Sequence, residues 1–389
     1  MRQSSRTYAP IHDAIMTFVA EGKAHTRADL ARLLSLAPST ISLYVEELIH
    51  KGDLEEAGEV PSTGGRKGRR LRIKNDTHIY LVADLGTTHT RYGLAGTNGN
   101  LQEKRTESLP LRSGPESTLP RLVQLFTEIL TQTHNQEKLA GIVIGLPAPI
   151  DHSGGCVHSA SRIPQWNGFP LASWLSECFS VPTFIENDAN IIALGEHTSH
   201  TQLHHSFTVK AGSALGVGIV VDGRIYRGGT GAAGDISHVR HEEYGNTLCL
   251  CGNYGCLETV VTAEALGEKW HQMGGKNSQA DSLIQAAQDS DPLATHLLRE
   301  AGEHLGNAVC SLASFFNPEG IFLAGKLSRV DVFVAAVRSC LYGGCHPLVT
   351  KNLMIDRSAS GFDAGIRGAA ALACTMFNHT PYLSSHLTY

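Results

Sequence analysis

The chain has 389 residues, of which 42% are hydrophobic and 18% charged, with a net charge of −5. That length favours two or three units over one, and the hydrophobic share is that of a globular protein with a real core. No apolar run reaches the roughly 18 to 20 residues a membrane helix needs, and Met1-Arg2-Gln3-Ser4-Ser5-Arg6 lacks the apolar stretch of a secretion signal. With nine cysteines and no such signal, a reducing cytoplasm is expected.

The charge is unevenly spread. Residues 1–75 carry 12 Lys/Arg against 9 Asp/Glu, or +3, whereas the remainder carries 20 against 28, or −8. A basic head on an acidic body suggests that only the head meets nucleic acid.

Residues 10–22 read as an amphipathic helix with Ile11, Ile15, Phe18 and Val19 on one face. Thr26 is an N-cap with Asp29 three residues on, a variant capping box for a helix from Arg27 to Leu34. After the short turn Ser35-Leu36-Ala37, Pro38 suits the first turn of a further helix through Ile49. Its Ile41, Val45, Leu48 and Ile49 are expected to face inward, and Ser39, Thr40, Ser42 and Tyr44 to lie toward a DNA groove. Two strand-like pieces, around 54–57 and 71–73, flank a loop bearing Arg66, Lys67, Arg69 and Arg70 with no acid nearby. This is the pattern of a winged helix-turn-helix whose wing neutralises phosphates and reaches the minor groove of double-stranded operator DNA. The plainer alternative is a three-helix interaction module with a solvated basic loop.

From residue 78 the texture changes. Ile79 to Leu85 is a buried strand that ends in Gly86-Thr87-Thr88, and Arg91 to Ala95 is its returning partner. Further apolar strands at 139–146 and 182–185 end in loops, the second running into Glu186-Asn187-Asp188-Ala189-Asn190 and a helix. Lys210 to Val221 is a glycine-rich hairpin, and Gly320 to Lys326 a strand and turn. Two strand-rich blocks, each followed by helices, suggest two α/β lobes with a cleft at the strand ends. The expected division is 1–75 for the head, 76–195 for the first lobe continued by 370–389, and 196–369 for the second lobe.

Within the second lobe, His238, Cys249, Cys251 and Cys256 form a compact ligand set: three thiolates and an imidazole fit a closed tetrahedral zinc site of the structural kind. Gly252 and Gly255 allow tight turns between ligands. Ordinary buried thiols are the alternative, against which the dense, glycine-punctuated spacing argues. The six cysteines outside the cluster read as buried or inert thiols.

Taken together, 84–88, 186–190, Gly231 to His238, the cysteine cluster and Asp363 to Ala370 resemble the repressor, open reading frame, kinase (ROK) family of sugar kinases and sugar-responsive regulators, over nearly the whole chain. The resemblance implies the ribonuclease H-like fold of actin and hexokinase, and the winged head resembles the regulator branch. By the same resemblance Asp188 matches the general base of the kinases, and Asn187, Asp188, Asp235, His238 and Glu258 match sugar ligands, with Asn167 a weaker contact. A helix N-cap is the bland alternative for Asp188. The family usually has glutamate where Asp235 stands and glycine where Ser237 stands.

The nucleotide side departs further from the family. Asp84, Gly86 and Thr88 keep part of the first phosphate loop, but Thr87 replaces its second glycine. Gly212 opens the second loop, where Ala214 and Leu215 add side chains where backbone should approach phosphate. Ala324-Gly325-Lys326 adds bulk at the adenosine-side turn, although the lysine has room to swing outward. Together these changes argue against ATP and Mg²⁺ as cofactors. The leading expectation is a bacterial cytoplasmic regulator, a repressor, that senses a sugar or sugar phosphate and acts as a homodimer or homotetramer with no membrane association. The alternatives are an ATP-dependent sugar kinase with a DNA-binding head, and a repressor removed from DNA by a protein docking on its body.

Overall fold

The computed structural model describes residues 9–20, 22–51, 53–59, 68–73, 78–87 and 89–377. Arg66, Lys67 and Thr88, and the end of the first-lobe extension beyond 377, lie outside them.

Three helices open the chain: α1 (Ala9–Ala20), α2 (Arg27–Leu34) and α3 (Pro38–Lys51). The Thr26 side chain caps α2 while Asp29 reaches back to the Thr26 backbone, the reciprocal pairing expected from the sequence. Ser35 closes α2 in the left-handed region at φ 52°. Strands β1 (Leu54–Glu59) and β2 (Arg69–Ile73) pair antiparallel behind the helices. Ile15, Leu30, Ile41, Val45, Leu48, Leu54 and Leu71 form the core of this head.

The body is built on two sheets of one topology. The first uses β3 (Ile79–Leu85), β4 (Thr90–Gly96), β5 (Leu101–Glu107), β6 (Leu139–Leu146) and, after the short pair β7 (Ile150–Asp151) and β8 (Cys156–Val157), β9 (Thr183–Asn187). Its order is β5-β4-β3-β6-β9: the hairpin strands run antiparallel, then β6 and β9 add in parallel. Helices α4 (Pro115–Gln132) and α5 (Leu171–Phe179) lie between these strands in the chain. They cover one face, meeting Ile79, Leu81, Ala83 and Leu85, so alternate residues of β3 serve opposite faces.

The second sheet has order β12-β11-β10-β13-β14, from β10 (His205–Ala211), β11 (Leu215–Val221), β12 (Arg224–Ile225), β13 (Gly320–Ala324) and β14 (Met354–Arg357). Again two antiparallel pairings precede two parallel ones. Its outer face carries α7 (Glu258–Val261), α8 (Ala263–Gln272), α9 (Ala280–Gln288), α10 (Pro292–Phe316) and α11 (Asp331–Gly344) over one large core. The short α12 (Pro347–Thr350) follows.

Between the sheets lies α6 (Asp188–His197), buried along almost its whole length. Against it crosses α13 (Ala364–Phe377), whose Ile366, Ala369 and Ala373 join Tyr80 and Val82 of the first sheet. Packing against the first sheet thus includes α13 residues from Ile366 onward. Glycines make the crossing close: a Cβ on Gly195 would fall 1.9 Å from the Ala364 carbonyl oxygen, and one on Gly368 1.7 Å from that of Ile191. On the other side, a Cβ on Gly218 would lie 2.2 Å from the Ala189 carbonyl oxygen. Among the described residues no helix is long and apolar enough to cross a membrane.

Candidate functional site

Parallel strands deliver their carboxyl ends to one edge. In register, Asp84 pairs with Gly145 and Gly145 with Glu186, so Asp84 and the 186–188 turn reach the same edge of the sheet with β6 between them. Asn187 and Asp188 of that turn open onto a cavity of about 850 Å³ between the sheets, lined also by Asn167, Asp235, His238 and Glu258 among others. Every sugar contact expected from the sequence thus converges on one cleft.

The roles within it differ in detail. Asn187, not Asp188, caps α6: its Oδ1 accepts from the Ala189 amide at 2.9 Å and its Nδ2 donates to the Ala148 carbonyl at 2.9 Å. Asp188, at the first helical position, is instead ion-paired with Lys210 of β10. Asn167 accepts from the Ala160 amide at 2.8 Å, and Asp235 accepts from the Ser237 hydroxyl at 2.6 Å. Beneath the floor, fully buried Glu186 accepts from its neighbour Asn187's amide, from Asn190 Nδ2 at 2.9 Å and from Arg227 Nε at 2.7 Å.

Two cations of the cleft were not singled out from the sequence. Lys210 is one. Arg162, 10% exposed, pairs with Glu258 and reaches Glu264 of α8 at 3.2 Å. Nothing local marks either, because their partners come from the other sheet.

Next to Glu258 lies the ligand cluster. The donor atoms of His238, Cys249, Cys251 and Cys256 all lie within 4.8 Å of one another. Cys249 Sγ stands 3.6 Å from His238 Nδ1 and Cys251 Sγ 3.7 Å from Cys256 Sγ. A tetrahedron with metal–sulfur bonds of about 2.3 Å has edges of about 3.7 Å, so the four fit a metal ion. Burial pushes the Cys249 thiol up to about 12, which a bound cation would reverse. The Glu258 amide donates to the Ser237 carbonyl at 2.9 Å and the Leu257 amide to that of Val239 at 2.9 Å, fixing His238 and Glu258 together. Gly252 at φ 87° and Gly255 at φ 69° make the turns between ligands. Outside the cluster the cysteines are not uniformly buried: Cys178 is exposed and only Cys345 is fully buried.

Where the resemblance expects a nucleotide, the chain's own contacts engage the loop residues beside a second cavity of about 420 Å³ lined by Ser213, Asp281 and Lys326 among others. Asp84 is buried against α13, and burial, with the Asp188 charge, pushes its carboxyl up to about 7. Thr87 Oγ1 meets Ser213 Oγ at 3.1 Å across the cleft. Lys326 does not swing free but holds both Asp281 oxygens at 2.8 Å. Gly212 sits at the hairpin turn, its carbonyl accepting from the Ala263 amide at 2.8 Å, and Gly86 donates to the His89 carbonyl at 3.1 Å.

In the head, Ser39 and Arg70 are exposed and Thr40 and Ser42 half-buried. Tyr44 departs from expectation: it is 7% exposed, its ring edge-on to His12 at 5.3 Å, and belongs to the core. The strands flanking the basic loop are not free of acid either, since Arg69 pairs with Glu56 at 3.0 Å, which Arg27 also holds.

Two sheets of one topology, a helix buried between them and an acidic cleft at their strand ends define a two-lobed α/β body of the sugar-kinase type. The chain belongs to the ROK family, whose model matches residues 80–376. It is 27% identical over 375 residues to the xylose repressor of Caldicellulosiruptor bescii, covering 92% of this chain and 94% of that protein. It is 28% identical over 369 residues to the DNA-binding transcriptional dual regulator NagC of Escherichia coli K12, covering 91% and 89%. A ROK family transcriptional regulator, a homologue of the E. coli MLC protein, superposes with a TM-score of 0.81 at 24% identity, covering 96% of this chain and 97% of its own, and so shares the fold through the head.

Proposed function

We propose that this chain is a DNA-binding transcriptional regulator of carbohydrate genes, acting as a repressor, whose interlobe cleft senses a sugar or sugar phosphate. One observation carries the reading: the likeness to the two regulators spans 375 and 369 residues, more than the body alone, so head and body are shared together. The head supplies Ser39, Thr40 and Ser42 on α3 for the major groove, and Arg69 and Arg70, with Arg66 and Lys67, for phosphates. A symmetric dimer, or a tetramer built from it, reads a twofold operator. The setting is the bacterial cytoplasm.

In the cleft, Asn167, Asn187, Asp188, Asp235, His238 and Glu258 offer directed donors and acceptors suited to a polyol. The cluster His238, Cys249, Cys251 and Cys256 holds zinc in a structural role, since four protein ligands leave no open position. The zinc staples the loop that presents His238 and Glu258. The ion pair on Asp188 argues against phosphoryl transfer, since the general base of a kinase has to be free to take the hydroxyl proton, and the side chains added at Thr87, Ala214 and Leu215 argue the same way.

The test is protection of DNA upstream of the gene and its neighbours by purified protein, with and without a panel of sugars. Protection relieved by one sugar is expected. No protection at all, with sugar-dependent ADP release abolished in Asp188→Asn, would return the chain to the kinases.

A further inference from the structure

Two of the three carboxylates that line the cleft, Asp188 and Glu258, are engaged across the lobes by cations of the chain itself. Asp188 follows β9 of the first sheet, and its partner Lys210 is on β10 of the second. Glu258 begins α7 on the second lobe, and its partner Arg162 follows β8 on the first. The Arg162 pair is extended to Glu264 at 3.2 Å, which Arg112 of the first lobe also holds at 2.6 Å. Arg162 and Glu258 are 10% and 7% exposed, Lys210 and Asp188 16% and 6%. Pairs so shielded from water are weakened little by solvent screening, and removing one partner leaves a costly lone charge.

We propose that Arg162 and Lys210 are internal competitors for the places a sugar takes on Glu258 and Asp188, and that together they latch the two lobes. This rests on the cleft being the effector site, as argued above. A polyol that hydrogen-bonds Glu258 or Asp188 must loosen the corresponding cross-lobe pair. Binding energy is thereby converted into a change in how the lobes are held, which is the differential contact a two-state regulator requires. The latch also sets selectivity: a sugar must return to each cation a hydrogen-bond acceptor in place of the carboxylate it takes, and one lacking an acceptor there leaves a buried cation unpaired. Arg162 and Lys210 are positioning residues in this scheme.

Amide hydrogen exchange on the full-length protein without added sugar tests the latch directly. Arg162→Gln is expected to raise exchange about tenfold over 158–168 and 258–272, with Arg162→Lys intermediate. Glu264→Gln, which leaves Glu258 untouched, should raise it in the same segments even if Arg162→Gln folds poorly. Unchanged exchange in Glu264→Gln and in folded Arg162→Gln overturns the proposal, whatever the protein does with DNA. Calorimetric titration with glucose, xylose and N-acetylglucosamine provides the second arm. For a sugar that binds, Arg162→Gln should bind several-fold tighter than the wild type, because the competitor on Glu258 is gone. Weaker binding in Arg162→Gln, restored by Arg162→Lys, would make Arg162 a direct sugar contact and overturn the competition. If none of the three sugars binds, the effector reading loses support while the exchange arm still decides the latch.

Discussion

Asp84 and Asp188 share one low-dielectric corner beside Lys210, and the consequence falls on Asp84. Burial first, and then the charge of Asp188, raise the Asp84 carboxyl to about 7, while Lys210 and Arg91 pull the other way. The folded state therefore keeps a proton on Asp84 that the unfolded chain releases near 3.8. Its contribution to stability is full below that value, declines as pH rises, and is lost by about 7. Asp84→Asn is expected to melt several degrees above the wild type at pH 8, with the gap closing toward pH 4. A series of melting curves across that range checks it; a constant gap would place the Asp84 carboxyl at its ordinary value.

The metal cluster is tested by Cys251→Ser. Elemental analysis should find about one zinc per wild-type chain and well under that in the variant. Because thiols must lose protons to bind, zinc retention in the wild type should fall as pH is lowered. Full metal content in Cys251→Ser would refute the assignment.

A different buried carboxylate holds the junction of the lobes. Glu196, at the end of α6, accepts from Ser358 Oγ at 2.6 Å, the Ala359 amide at 2.8 Å, the Ser360 amide at 3.1 Å and His200 Nε2 at 2.9 Å. Burial alone would raise this carboxyl, but the hydrogen bonds from Ser358, Ala359 and Ser360 outweigh it and hold it below its usual 4.5. Its stabilisation is present at neutral pH and is lost as pH falls through that depressed value. Glu196→Ala should cost about 2 to 4 kcal/mol at pH 7 by urea denaturation, since several donors lose their acceptor.

In the head, Arg70→Ala should weaken DNA binding evenly across sequences and reduce the slope of log affinity against log salt by about 0.9. Tyr44→Ala should act differently, destabilising the head by about 3 to 5 kcal/mol as a large core deletion. Binding isotherms at several salt concentrations, read beside the melting curve of each variant, separate the two.

Local signals were legible because they act over a few residues. Thr26 and Asp29 announced the start of α2, and the cysteine spacing announced a ligand cluster whose atoms the fold brings together. Tyr44 belongs to the core because of its position on the helix. Ile41, Tyr44, Val45 and Leu48 fall at i, i+3, i+4 and i+7, which is the core stripe of α3. Arg162 and Lys210 were out of reach for another reason: each is separated from its partner by long stretches of chain, and only the folding of two sheets around α6 brings them together. The Glu56–Arg69 pair was hidden in the same way, by strand register.

The crossing of α6 and α13 at Gly195 and Gly368 bears on how such a sensor can change over generations. Where backbone rests on backbone, no replacement with a side chain fits without moving a helix. The crossing is thus closed to gradual retuning, and if the cleft is the effector site, new preferences have to arise in the segments that carry Arg162, Asn167, Asp235 and Glu258. A chain built this way can vary the lining of its cleft while the crossing between its lobes stays the same.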